Sequence, residues 1–88
     1  MRVVIADDEW IALKMLRKLI DWEGLGLKYC GYAQDGCALF NLILERKPEL
    51  VITDIMMPGY DGLKLIAKTR EAGLSVRFLI TSAYANFS

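Results

Sequence analysis

The stretch Leu50-Val51-Ile52-Thr53-Asp54-Ile55-Met56-Met57-Pro58-Gly59 decides how the chain is read. Residues of strand character run into one carboxylate, and a Met-Met-Pro-Gly turn follows at once. An apolar run of this length that stops at a turn suits a strand buried on both faces. Asp54 then sits where that strand leaves the sheet. In open α/β sheets, that end of the strand is where ligands bind. An isolated aspartate there is also an ordinary turn opener, so the rest of the chain must separate the two readings.

Toward the N-terminus, Pro48 ends a helix expected over about residues 36–47. It is apolar at Cys37, Ala38, Leu39, Phe40, Leu42, Ile43 and Leu44, a pattern that predicts a helix buried nearly all round or set in an interface. Asp35, in the turn Gln34-Asp35-Gly36, is placed to cap it. A strand over 28–33 precedes that turn. Glu23-Gly24-Leu25-Gly26 stops an earlier helix over about 9–22. There Ala12, Met15, Leu16, Leu19 and Ile20 recur at helical spacing, and Ile11 and Leu13 widen the stripe. The first strand, over 2–7, is β-branched at Val3-Val4-Ile5 and runs into Asp7-Asp8.

Toward the C-terminus, Asp61-Gly62 opens a third helix to about residue 72. Its expected core face is Leu63 and Ile66, with Ala67 and the stem of Arg70, and Gly73 closes it. A fourth strand over 76–81 brings Ser82-Ala83 to its end, with Val76, Phe78 and Ile80 facing one way and Leu79 the other. Four strands alternating with three helices predict a parallel sheet covered on both faces.

At 88 residues the chain is one domain at most. Counted with Gly and without Tyr, 51 of the 88 residues are apolar, above the roughly 45–50 % of typical domains. This excess predicts buried surface against a partner, or membership of something larger. Eleven basic residues balance eleven acidic ones, so direct nucleic-acid binding by this segment is not expected. No apolar run approaches the roughly 18 residues of a membrane span. The acidic residues at 7 and 8 come too early for a signal peptide, and the expected location is the cytoplasm. The chain has no histidine, and Cys30 and Cys37 form no metal-binding pattern. They read as reduced, mostly buried thiols.

The strand ends carry the chemistry. Asp7 and Asp8 end the first strand, Asp54 the third and Ser82 the fourth. If the first and third strands are neighbours at a switch point, these groups meet at one rim. Three carboxylates in one cleft need a cation, and oxygen ligands without His or Cys point to Mg²⁺. A carboxylate can also act as a nucleophile and form an acyl phosphate. Ser82 could then donate a hydrogen bond to the new phosphoryl group.

The chain resembles the receiver domain of two-component response regulators. The resemblance rests on Val4-Ile5-Ala6-Asp7-Asp8-Glu9, Asp35-Gly36, Asp54-Ile55-Met56-Met57-Pro58-Gly59-Tyr60-Asp61-Gly62 and Ile80-Thr81-Ser82-Ala83, in the family's order and spacing. It spans residues 1–88 and implies a flavodoxin-like (CheY-like) doubly wound α/β sheet. It implies Asp54 as phosphoacceptor for a sensor histidine kinase. Asp8 and Asp54 would ligate Mg²⁺ through their side chains, Met56 through its backbone carbonyl and Asp7 through a metal-bound water. Ser82 would be the switch hydroxyl, and Ala83 would leave room for the donor. Met56 and Tyr84 hold positions that tune the phosphate's lifetime in the family. The stretches 21–26 and 82–87 resemble the subgroup with AraC-type DNA-binding output domains.

A complete receiver adds a fourth helix, a fifth strand and a fifth helix, which this sequence lacks. The fifth strand carries a lysine that pairs with the phosphoryl group, and no lysine here matches it. Residues 1–88 therefore read as the N-terminal part of a receiver, with phosphorylation slowed and an apolar edge exposed. A homodimer or larger assembly through that edge is expected. The alternative function is a non-catalytic fragment that acts as an oligomerisation or interaction module. An aspartyl phosphatase is disfavoured, because Met56 stands where those enzymes usually carry a second carboxylate.

Overall fold

The computed structural model describes residues 1–54, 57 and 62–81. Its elements are β1 (Arg2–Ala6), α1 (Trp10–Leu19), β2 (Lys28–Ala33), α2 (Gly36–Arg46), β3 (Leu50–Asp54), α3 (Gly62–Glu71) and β4 (Arg77–Thr81). The strands form one parallel sheet in the order β2-β1-β3-β4. β1 and β3 are neighbours although β2 lies between them in sequence, which makes their junction the switch point of a doubly wound sheet. The alternating pattern predicts the parallel sheet, and the flavodoxin-like order is the one the family resemblance implies.

Alternation along the strands sorts the core into two layers. Val3, Ile5 and Ile52 pack with Leu13 of α1 on one face. Val4, Ala6, Ala33 and Val51 pack with Leu39 and Ile43 of α2 and Leu65 of α3 on the other. All of these side chains are at most 4 % exposed. At roughly 1.5–3 kcal/mol for each large side chain, this burial is the main force holding the sheet to its helices.

The helix faces differ from expectation. In α1 the buried line is Leu13, with Leu16 and Ile20 packed beside it. Ile11, Met15 and Leu19 are 71 %, 53 % and 72 % exposed and form a stripe on the outer side. The helix also stops at Leu19 rather than near 22. Ile20 is extended, and Asp21 Oδ1 accepts from the Gly24 N–H at 3.0 Å, starting a turn. In α3 the buried residues are Gly62, Leu65 and Thr69, while Leu63 is 78 % exposed. Thr69 is tolerated in the core because its hydroxyl donates to the Leu65 carbonyl at 2.9 Å. In α2, Cys37, Ala38 and Leu44 are exposed, so the helix is buried on one side rather than all round. Both cysteines are free thiols, and Cys37 is exposed rather than buried.

The helix ends follow the sequence signals. The Asp35 side chain accepts from the Ala38 N–H at 2.7 Å. Lys47 closes α2 in the left-handed region (φ 48°) just before Pro48. Gly73, at φ 80°, reverses the chain after α3. Among the described residues, no helix is long and apolar enough to cross a membrane.

Candidate acidic site at the strand ends

Parallel register carries the three carboxylates to one place. Ala6 pairs with Thr53, so Asp7 and Asp54 follow side by side where β1 and β3 leave the sheet. The Asp7 N–H donates to the Ala33 carbonyl at 3.1 Å, which extends the β1–β2 pairing one residue beyond Ala6. Asp7 Oδ1 accepts from the Glu9 N–H at 2.9 Å. That bond turns the chain into α1 and fixes the carboxylate. Carboxylate oxygens of Asp7, Asp8 and Asp54 all lie within 4.8 Å of one another. Asp7 is buried, Asp54 half-buried and Asp8 exposed, so the cluster opens to solvent on the Asp8 side.

Burial pushes the Asp7 carboxyl above its ordinary value, and the negative charges of Asp54 and Asp8 push it further the same way. The Glu9 N–H opposes them. A site that crowds carboxylates against their own repulsion is poised for a cation. Two oxygens on one Mg²⁺ at about 2.1 Å lie at most about 4.2 Å apart. Carboxylate oxygens of three residues within 4.8 Å of one another are close enough to share one cation. The donor set is all oxygen, as Mg²⁺ prefers.

Two further features were not singled out in the sequence. Thr53 is 1 % exposed, and its hydroxyl donates to the Asp54 carbonyl at 3.0 Å, fixing the chain as it leaves β3. A hydroxyl inside an otherwise apolar strand, next to the acidic residue, is the signal that could have found it. Trp10 and Tyr32 meet edge to face at 5.3 Å between centroids, flanking the start of α1. Thr81 pairs with Asp54 and is the last described residue of β4. Met56, Ser82, Ala83 and Tyr84 lie outside the described residues.

The family model described as the response regulator receiver domain matches residues 3–88. The chain belongs to this family. This receiver is 41 % identical over 86 residues to the uncharacterized transcriptional regulatory protein YesN of Bacillus subtilis, covering 98 % of this chain and 23 % of that protein. It is 38 % identical to the transcriptional regulatory protein HptR of Staphylococcus aureus, covering 98 % of this chain and 33 % of that one. The chain thus spans a quarter to a third of the length of these curated relatives. Among solved structures, the REC domain of AraT, a response regulator from Geobacillus stearothermophilus, superposes with a TM-score of 0.86 at 31 % identity. That match covers 98 % of the receiver and 67 % of the solved chain. A two component transcriptional regulator AraC from Clostridium phytofermentans matches at a TM-score of 0.85 and 27 % identity, with the same two coverages of 98 % and 67 %.

Proposed function

We propose that this receiver accepts a phosphoryl group on Asp54 from the phosphohistidine of a sensor kinase, in the presence of Mg²⁺. The observation that carries the reading is the clustering of the Asp7, Asp8 and Asp54 carboxylates within 4.8 Å at the switch point. In this reading Asp8 and Asp54 hold the cation through their side chains, Met56 through its carbonyl and Asp7 through a water. When bound, the cation offsets negative charge on the phosphoryl oxygens. Asp54 Oδ attacks phosphorus, the P–N bond to the donor imidazole breaks, and that imidazole keeps the electron pair. The product is an aspartyl phosphate. The Ser82 hydroxyl donates to a phosphoryl oxygen, and Ala83 leaves space for the donor. The receiver turns over only its own phosphoryl group and is not an enzyme acting on other substrates.

Residues 1–88 are read as the N-terminal part of a receiver in a cytoplasmic, DNA-binding response regulator; support comes from the partial coverage of the solved receivers and from relatives named as transcriptional regulators. The second reading, a non-catalytic interaction module, is favoured by the outer edge of β4. Leu79 and Ile80 there are 54 % and 39 % exposed.

Intact mass after incubation with acetyl phosphate separates these readings. The parent is expected to gain one phosphoryl group with Mg²⁺ and none in EDTA, and Asp54→Asn to gain none in either. A folded parent that gains nothing would favour the interaction module.

A further inference from the structure

The amino-terminal rim of the sheet, opposite the acidic site, carries a groove of the reverse charge. Arg2 opens β1, and its register partner Lys28 opens β2. Arg46 ends α2. With Tyr29, Cys30 and Gly31 they line a groove of about 510 Å³. A β-bulge shapes its wall. Val3 pairs with Tyr29 and Val4 with Gly31, so Cys30 is left unmatched. Gly31 stands at φ +145°, with Leu42 Cδ1 3.2 Å from the place a Cβ would take. A side chain at that position would be strained and would press on Leu42.

The cations on this groove have little to neutralise them. The Arg2 guanidinium donates to the Arg46 carbonyl at the end of α2, which holds it in place. Neither Arg2 nor Lys28 forms an ion pair among the described residues. The neighbouring Glu49 carboxylate accepts from the Arg2 backbone N–H at 2.9 Å. Arg46 pairs with Glu45 at 3.1 Å, but the two side chains are 50 % and 70 % exposed, and such a pair is worth little in water.

We propose that this groove binds a small phosphorylated anion through Arg2, Lys28 and Arg46. Guanidinium forks match phosphate oxygens two at a time, and the ammonium adds a point charge. The volume falls within the roughly 300–1,000 Å³ of small-molecule sites. The bulge decides between a small ligand and an acidic peptide. Adding a strand to the β2 edge needs a regular ladder, and Cys30 interrupts it.

The test titrates inorganic pyrophosphate into the Mg²⁺-free chain at constant ionic strength, following the backbone amides of Arg2, Lys28 and Gly31. The expected result is a saturable shift. Lys28→Gln and Arg46→Gln, both at exposed positions, are each expected to weaken binding about tenfold. Asp54→Asn is expected to leave it unchanged. A linear shift equal to that from chloride would overturn the proposal, as would variants that bind like the parent. Saturation by a polyglutamate peptide with no response to pyrophosphate would overturn it in favour of a peptide groove.

Discussion

Asp7 is the residue at which the fold and the site conflict. It is 9 % exposed and faces two other carboxylates. In the unfolded chain an aspartate titrates at about 3.9. Folded Asp7 holds its proton more tightly. Its contribution to stability is therefore fullest below the unfolded value and is lost as pH rises through the elevated folded value. Metal-free protein is expected to melt lower across that rise. Asp7→Asn keeps an acceptor for the Glu9 N–H and removes the charge, so its melting temperature at neutral pH should exceed the parent's. The gain is about 4–8 °C for each kcal/mol recovered in a domain of this size. Thermal melts in EDTA over a pH series check this, and an Asp7→Asn protein that melts below the parent at neutral pH contradicts it. The cation that the site is proposed to hold should narrow the difference, since it relieves the same repulsion.

At the scale of elements, the phase of α1 is the sharpest claim. Leu13 is 1 % exposed and Ile11 is 71 % exposed, two residues apart on one helix. Leu13→Ala is expected to cost about 2–5 kcal/mol, and Ile11→Ala less than about 0.5 kcal/mol. Urea denaturation of the two variants checks the order. This phase was not legible in the sequence. α1 and its flank carry Ile11, Ala12, Leu13, Met15, Leu16, Leu19 and Ile20, so several faces satisfy helical spacing and only docking onto Val3, Ile5 and Ile52 chooses among them. α3 failed for a related reason. Leu63 outweighs Thr69 on any hydrophobicity count, yet the threonine satisfies its hydroxyl within its own helix and takes the core position. The strands were legible, because Val3-Val4-Ile5 and Val51-Ile52 are buried on both faces and their strands end abruptly at carboxylates. The same abruptness made the three acidic residues of the site legible. Thr53 was passed over although a hydroxyl stands out in that apolar strand, because the backbone carbonyl it bonds is visible only in the structure.

For the whole molecule, a net charge of zero conceals two opposed rims. Asp7, Asp8 and Asp54 crowd the carboxyl end of the sheet, and Arg2, Lys28 and Arg46 line the amino end. β4 is the outer strand beside β3, with Leu79 and Ile80 exposed along it. The 88-residue chain is expected to associate through this edge. Sedimentation velocity over a concentration series should show mass above the monomer, and Leu79→Lys should shift it toward the monomer. A parent that stays monomeric throughout would contradict this expectation. The central claim is that the three carboxylates work as one cation site. Mg²⁺ titration in a Trp22→Phe background, where Trp10 is the remaining tryptophan, tests it most directly, because Trp10 lies two residues past Asp8. The account predicts a saturable change in Trp10 fluorescence that Asp8→Asn weakens at least about tenfold. A folded protein whose fluorescence does not respond to Mg²⁺, or responds equally in Asp8→Asn, would contradict it.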